Sequence, residues 1–377
     1  MKLLYVINKV TNTSIPLELA EKMNTLGYLD VRVLSFYDTQ EDIYNFKKKS
    51  KFKVNITGLG VKSILNFKKL IYFSGIIKDS APDIIHTHHT LSGSVARIFS
   101  AFKKNVKVIH TVHADHRSYS KMQNMLIGLS LPFCDLIICN SKNTRDSLIS
   151  WQKKLVSKIS KVVIYNGVDI SKITNELERN TNDSWYKNLN IDSKTFLIGT
   201  VGRLVKVKDH ETLIKGFAKV NAKIKNSKLI IVGNGPLKNH LESLATSLGI
   251  EKNVIFTGLV TREEVYRILS RMNLFVITSL YEGFCNALVE GMIAKKPTIV
   301  TNINPLPEVV GGKNALFFNK GNYDELSSKI LTLYENPELG KKTSIAAHRY
   351  AIENYSLDVC ANNYLHYYAE LFDNKNS

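Results

Sequence analysis

Short apolar runs alternate with longer segments of helical periodicity along almost the whole chain. In the first half the strand-like runs are Leu3–Ile7, Asp30–Leu34, Ile84–His86, Val106–Thr111, Leu136–Cys139 and Lys161–Ile164. The segment Ser14–Leu26 reads as the first crossover helix and ends at Gly27. Such alternation implies parallel sheets covered by helices. A polar stretch, Ser171–Asn190, interrupts the pattern with Asn, Ser, Glu and Lys and is the linker candidate. The alternation restarts with Phe196–Val201, followed by Lys228–Val232, Val254–Thr257, Leu274–Ile277, Thr298–Thr301 and Ala315–Phe318. Two successive doubly wound units of about 175 residues each follow, an ordinary domain size. The boundaries expected are 1–175 and 176–355. The remainder, 356–377, contains an aromatic-rich helical segment, Leu357–Phe372, that should dock on another part of the protein (Tyr364, Tyr367, Tyr368, Phe372). Ligands of such sheets bind outside the carboxyl ends of the strands, so two facing units make a cleft.

Composition narrows the class. A hydrophobic content of 44% and mean hydropathy of −0.09 fit a soluble globular protein. No uncharged apolar run approaches the roughly 18–20 residues of a spanning helix. The start, Met1–Asn8, is too short for a signal peptide and reads as a first buried strand. The four cysteines, Cys134, Cys139, Cys285 and Cys360, suggest neither a disulfide framework nor a metal-ligand spacing, so a reducing cytoplasm is the expected location. The net charge of +18 points to nucleic acid, an anionic membrane face or phosphorylated substrates. Lys47, Lys48, Lys49, Lys51, Lys53, Lys62, Lys68 and Lys69 lie in a stretch without an acid from Ile43 to Lys78. Phe46, Phe52, Phe67, Tyr72 and Phe73 are interleaved with them, as in an interfacial surface on the inner face of a membrane. An ordinary solvated lysine-rich face is the alternative.

Candidate chemistry concentrates in Tyr281–Met292, where Glu282 lies in a turn and Glu290 in an apolar helix. An ionised side chain in so apolar a helix is costly unless a polar partner meets it. Gly283 allows a tight turn, and the amides that follow open a helix N-terminus suited to anionic oxygens. Carboxylates accept hydrogen bonds from sugar or ribose hydroxyls. The set suggests a site for a phosphorylated, hydroxyl-rich ligand; the competing reading is a capping Glu282 and a Glu290 reaching solvent. Strand Phe196–Val201 ends in Gly202-Arg203, with Lys208 close behind, cations that suit a pyrophosphate clamp or an ordinary basic loop. The three-glycine dinucleotide spacing is absent. Val232-Gly233-Asn234-Gly235-Pro236 reads as a structural turn. His86, His88, His89, His110, His113 and His116 lie at strand ends, where hydrogen bonds to a sugar or the backbone are expected more than zinc. There is no Asp-x-Asp, so no metal-dependent diphosphate site is indicated.

These elements in this order resemble the retaining family 4 glycosyltransferases, which have the GT-B fold of two facing Rossmann-like domains. The resemblance rests on Tyr165–Asp169, the Gly202 to Lys208 loop, Val232–Pro236, Glu282–Glu290 and Asn304–Gly311. It implies that Arg203 and Lys208 hold the nucleotide diphosphate and stabilise the leaving group in place of a metal ion, with no cofactor. It implies that Glu282 contacts the donor sugar. The backbone of Gly283, Phe284, Cys285, Asn286 and Ala287 would approach sugar and phosphate, Glu290 would bond the ribose, and Gly258, Leu259 and Val260 would touch the base. His113 matches the histidine near the sugar, and the terminal helix would cross back onto the first domain. The reaction implied is transfer from a nucleotide-diphosphate sugar, expected to be a UDP-sugar, to a lipid-linked or saccharide acceptor, as in surface polysaccharide assembly. Where many members carry a Gly-Gly pair, this chain has Asn8–Pro16. Thr11, Asn12 and Thr13, with His88 and His116, are then the acceptor-side candidates. The alternatives are a nucleotide-sugar epimerase of similar fold and a basic nucleic-acid-binding protein, the latter without a recognisable recognition helix or stacking motif.

Overall fold

The computed structural model describes residues 1–27, 29–62, 67–101, 103, 105–179, 191–192 and 194–376. It divides into two compact units, Met1–Gly167 with Leu357–Ser377, and Val168–Ser356. In the first, the strands are β1 (Lys2–Ile7), β2 (Asp30–Ser35), β3 (Asn55–Gly58), β4 (Ile84–Thr87), β5 (Lys107–Val112), β6 (Leu136–Cys139) and β7 (Ser160–Val163). They form one seven-stranded sheet in the order β3-β2-β1-β4-β5-β6-β7, and the pairings are parallel. Side chains alternate across a strand. Accordingly Leu3, Tyr5 and Ile7 enter one core with Leu17, Ala20 and Met23 of helix Ile15–Thr25. Leu4 and Val6 enter the other with Phe36, Phe73, Ile77 and Ala96. Strand β3 has no counterpart in the sequence-based expectation. It is short, at the sheet edge, and buries only Ile56 fully, so it carries almost no apolar signal.

The second unit repeats the plan with β8 (Phe196–Val201), β9 (Ser227–Val232), β10 (Val254–Gly258), β11 (Leu274–Ile277), β12 (Thr298–Thr301) and β13 (Leu316–Phe318). Their order is β10-β9-β8-β11-β12-β13. The order reverses between β1 and β4 in one sheet and between β8 and β11 in the other. Loops leaving those adjacent strands diverge to opposite faces and open a crevice at the carboxyl ends.

The expected linker is partly a helix. Ile170–Glu178 is capped by Asp169, which accepts from the Lys172 amide at 2.9 Å. It buries Ile173 and is tied to helix Arg262–Arg271 by Lys172–Glu263 at 3.2 Å. The remainder of the expected linker, 180–190, lies outside the described residues. The units therefore divide between Gly167 and Val168 rather than after residue 175. Val168 bridges Ser356 in parallel and its amide donates to the Tyr355 carbonyl at 2.9 Å, so the chain enters and leaves the second unit side by side.

The terminal helix, Leu357–Asn376, belongs to the first unit. Cys360, Ala361, Tyr364 and Tyr368 are buried in its core. The Tyr368 hydroxyl lies 2.7 Å from that of Tyr5 and 2.6 Å from His86 Nδ1; Thr111 Oγ1 then joins His86 Nε2 at 2.7 Å to the Tyr364 hydroxyl at 3.1 Å. Lys22 pairs with Asp358 at the helix start. Since buried polar atoms are costly without partners, Tyr368→Phe should destabilise the first unit by about 1–3 kcal/mol. Urea unfolding followed by circular dichroism checks this, and an unchanged midpoint would show the hydroxyl network to be dispensable.

Candidate functional site

At the second switch point, β8 ends at Gly202 and leads into the exposed Arg203 and a short 3-10 turn, Lys206–Lys208. Asp209, left-handed at φ +48°, caps helix His210–Lys223 by accepting from the Thr212 amide at 3.4 Å, and also accepts from the Thr212 hydroxyl at 2.7 Å. The glycines of Val232–Pro236 explain themselves sterically. A Cβ on Gly233 would lie 2.1 Å from the Gly202 carbonyl oxygen, and one on Gly235 would lie 2.4 Å from that of Leu204. That loop is a structural turn, as expected, and it braces the backbone around Arg203: the Leu204 amide donates to the Asn234 carbonyl at 3.0 Å.

Across the switch point, the loop after β11 meets this turn. Lys208 Nζ lies 2.5 Å from Glu282 Oε1, which also accepts from Ser279 Oγ at 2.7 Å. Thr278 Oγ1 donates to the Lys208 carbonyl and the Leu280 amide to that of Val207, both at 2.8 Å. Burial disfavours the Lys208 charge, but the attraction and hydrogen bond of Glu282 outweigh it, and its pKa is raised. Arg203 is close enough for its charge to act against Lys208. The turn thus presents two cations and a carboxylate at the end of the sheet, a set that can hold phosphate oxygens and accept from hydroxyls.

The left-handed residue in the Glu282 turn is Cys285 (φ +78°), not Gly283. Burial, then Glu282, push its thiol pKa well up, so the sulfur is not a nucleophile at neutral pH. Phe284 is 2% exposed and packs edge-on against Tyr355, which leaves its backbone rather than its ring for any ligand. Helix Asn286–Ile293, with Ala287 in its first turn, begins here without an acid in that turn, so its positive end is not neutralised from within.

Glu290 does not reach solvent. It is 6% exposed, and its Oε1 accepts from Arg262 Nη2 at 2.6 Å, while Arg262 Nε reaches the Tyr266 hydroxyl at 2.5 Å. The apolar flanks of Glu290 implied a partner, but Arg262 lies on another helix and sequence spacing could not name it. Gly258 is left-handed (φ +70°), with Leu259 83% exposed and Val260 half-buried, at the carboxyl end of β10.

In the first unit the histidines separate into two groups. His86 and His110 lie within β4 and β5, not at their ends. His86 serves the tyrosine network described above, and His110 Nδ1 lies 2.8 Å from the fully buried guanidinium of Arg97. His88, His89 and His113 gather beyond the strand ends, with His88 Nδ1 3.1 Å from His113 Nε2. His89 Nδ1 accepts from the Asn8 amide at 3.1 Å, so the β4 end is fastened to the loop after β1. Asp38, missed in the sequence, organises that loop by accepting from the Val10 amide at 2.7 Å and from Ser35 Oγ at 2.6 Å. Thr11, Asn12 and Thr13 are exposed on it. His116, an acceptor-side candidate, is fully buried against Tyr119 and 3.3 Å from Asn124 Oδ1, which removes it from any surface. His88 is 3% exposed and inward as well. Among the described residues, no group of three or more His, Cys, Asp or Glu is arranged to hold a metal ion.

The aromatic residues of the Lys47–Lys69 region largely turn inward. Phe46 and Phe52 stack at 5.9 Å and pack on the core, and Phe73 is fully buried. Tyr72 is exposed; the side chains of Phe67 and Lys68 lie outside the described residues. Tyr44 and Tyr72 remain exposed among the described lysines, with Lys48 Nζ 4.3 Å over the Tyr44 ring. None of the described helices is long and apolar enough to cross a membrane. The four cysteines are free and buried.

Two outcomes follow from these environments. Arg262→Ala strands the buried Glu290 carboxylate and should cost about 3 kcal/mol, with much of the loss recovered in Arg262→Ala/Glu290→Leu; denaturant midpoints of the two variants and the parent check this. The second concerns pH. Burial lowers the pKa of His89 to about 4 and, with the His89 charge opposing, that of His113 to about 3; His88 lies well below its usual range. The folded chain therefore binds fewer protons than the unfolded chain on acidification. Stability from the cluster is complete above about pH 6.5 and is lost as pH falls toward the folded values, by up to ~1.4 kcal/mol per unit for each imidazole. Urea melts between about pH 7 and pH 5 should be less pH-dependent in His88→Asn/His113→Asn than in the parent. Equal slopes would place the origin elsewhere.

Comparison with known proteins fits this geometry. The family model described as Glycosyl transferases group 1 matches residues 181–350, and that described as Glycosyltransferase Family 4 matches residues 17–172. The UDP-Gal:alpha-D-GlcNAc-diphosphoundecaprenol alpha-1,3-galactosyltransferase of Escherichia coli is 28% identical over 267 residues, 69% of this chain and 66% of that protein. The alpha-monoglucosyldiacylglycerol synthase of Streptococcus pneumoniae is 25% identical over 282 residues, 71% of this chain and 63% of the relative. The crystal structure of Anabaena HepE in complex with UDP and glucose superposes with a TM-score of 0.81 at 17% identity, covering 98% of this chain and all of that one. Neither the epimerase nor the nucleic-acid-binding alternative gains support. With one model spanning most of each unit and both sheets in the same doubly wound order, the chain belongs to the family 4 glycosyltransferases and has the GT-B fold.

Proposed function

We propose that this glycosyltransferase moves a sugar from a nucleotide-diphosphate sugar, with UDP as the nucleotide, to a lipid-linked or saccharide acceptor in the assembly of a surface polysaccharide. The observation that carries the reading is the Lys208–Glu282 pair beside Arg203 at the switch point of the second sheet. The relatives named for diphosphoundecaprenol galactosyl transfer and for monoglucosyldiacylglycerol synthesis support the acceptor class, and the HepE complex supports UDP.

In this reading Lys208 and Arg203 hold the diphosphate and take up the negative charge that develops as the bond from the anomeric carbon to phosphate oxygen breaks. Lys208, held in advance by Glu282, and Arg203, reaching in from its exposed position, serve that purpose together, so no metal ion is required. The first-turn backbone of helix Asn286–Ile293, from Cys285 to Ala287, supplies amide dipoles toward the same oxygens. Glu282 accepts from sugar hydroxyls and favours positive charge on the anomeric carbon. Glu290, preoriented by Arg262, accepts from the ribose, and Gly258 to Val260 flank the base. The acceptor oxygen attacks from the face the phosphate leaves, its proton passes to the departing phosphate oxygen, and configuration is retained.

Release of nucleoside diphosphate from a panel of sugar nucleotides tests the reading. Arg203→Ala, Lys208→Ala and Glu282→Ala should each lower kcat by about 100- to 1000-fold, the usual cost of removing a group that stabilises developing charge. Excess chelator should leave the parent's turnover unchanged. If Arg203→Ala and Glu282→Ala both turn over like the parent, the assigned mechanism is wrong.

A further inference from the structure

The donor site leaves one feature of the first unit unused. Helix Lys121–Ser130 buries Ile127, Gly128 and Ser130 and turns Met122, Met125 and Leu129 outward, with 61%, 45% and 58% of their surface exposed. Those positions form one stripe on the helix. Phe133 follows it, and the neighbouring helix Ser150–Leu155 adds Trp151 and Leu155, which are exposed too. The two helices form one surface. The Trp151 ring fills the space that Gly128 leaves, where an added Cβ would stand 2.1 Å from the ring, and Gln152 Nε2 donates to the Asn124 carbonyl at 2.8 Å. A cluster of exposed apolar side chains of this extent marks an interaction surface.

Its charge indicates the partner. Lys121, Lys153, Lys154 and Lys158 are exposed around it. No acid occurs between 116 and 134 or between 147 and 168. The bordering acids, Asp115, Asp135 and Asp146, are paired with Arg117, Lys107 and Arg145. We infer that the face formed by helices Lys121–Ser130 and Ser150–Leu155 docks on an anionic lipid bilayer. Methionine, leucine and tryptophan side chains enter the headgroup boundary, while lysine stems reach along it and hold their charges at the phosphates. This deepens the reading of a lipid-linked acceptor and rests on it for the acceptor alone. It adds to the Lys47–Lys69 region, whose phenylalanines Phe46, Phe52 and Phe73 pack inward, a face whose apolar side chains point out.

Vesicles of phosphatidylcholine with and without phosphatidylglycerol test this on the full-length chain. Trp185→Phe leaves Trp151 as the sole tryptophan. Its emission should shift to the blue and be quenched by brominated lipid only when phosphatidylglycerol is present. Met125→Ser/Leu129→Glu should lower partitioning at least about tenfold, since it removes apolar contact and adds a like charge to that of the membrane. The same variant should keep its circular dichroism and its release of nucleoside diphosphate from free donor. Partitioning that is absent, or that persists unchanged in Met125→Ser/Leu129→Glu, overturns the inference. So does a concentration-dependent dimer abolished by that variant, which would make the face a contact between copies. Donor turnover with no vesicle binding sinks only this inference. Vesicle binding with no donor turnover sinks only the transferase mechanism.

Discussion

A parallel sheet buried on both faces can present chemistry only at the ends of its strands, and both units of this chain are built under that constraint. The crossover helices cover the faces, the strand interiors are apolar, and the one crevice available in each sheet lies where the strand order reverses. In the second unit the loops after β8 and β11 leave that point and are laced by Lys208–Glu282 and by two backbone-directed bonds. In the first, the loops after β1 and β4 are fastened by Asn8 and His89. The same topology yields an ionic clasp in one unit and a neutral one in the other.

That contrast follows from how each unit handles buried polarity. The first unit keeps its interior polar groups uncharged wherever it can. His86, His88, His110 and His113 are all held below their usual range by burial, and the tyrosine hydroxyls of positions 5, 364 and 368 are held above theirs. Two groups depart from this: Asp115 is buried and paired with Arg117, and the guanidinium of Arg97 is fully buried among Ser94, Ser130, Thr87 and His110, which are neutral acceptors, with burial lowering its pKa to about 10. A proton on His110 would face that cation, which is one cause of its depressed pKa. The second unit relies on pairing at its sheet end, at Lys208–Glu282 and at Arg262–Glu290. Paired charges are the form suited to a site that receives a charged ligand, because one partner can exchange its counterion without leaving a bare charge in a dry environment.

Periodicity made most strands legible, since Leu136–Cys139 and Leu274–Ile277 are uninterrupted apolar runs and Phe196–Val201 and Thr298–Thr301 are mostly apolar and β-branched. The edge strand β3 escaped because burying one isoleucine leaves no run to see. Ile170–Glu178 was hidden by its polar composition, although its helix is fixed by one aspartate cap and one apolar stripe. Site residues within a single turn, such as Glu282 and Cys285, are readable because sequence neighbours are spatial neighbours there. Arg262 and Asp38 were not, since each acts across a gap of tens of residues and nothing local distinguishes them from surface charges. His86 and His110 misled for the opposite reason. Their spacing resembles a cluster of ligands, yet strand alternation and burial turn them into core hydrogen-bonding groups.

The geometry of Lys208 and Glu282 bears on how the second unit would meet a diphosphate. The ammonium is held charged, partly buried and aimed before any ligand arrives, because Glu282 offsets the cost of burial that would otherwise lower its pKa. Arg203 pushes the other way from an exposed position. An incoming polyanion would therefore find one cation already oriented inside and a second free to swing in from solvent with a planar fork suited to two oxygens. In the proposed mechanism phosphate oxygens would take over the neutralisation of Lys208, and the lone pairs of Glu282 would become available to hydroxyl donors. Ser279, already bonded to the same Oε1, keeps the carboxylate in place during that exchange. The orientation of both side chains is settled in folding, so in the proposed mechanism the pair would act as a preorganised site rather than a competing salt bridge.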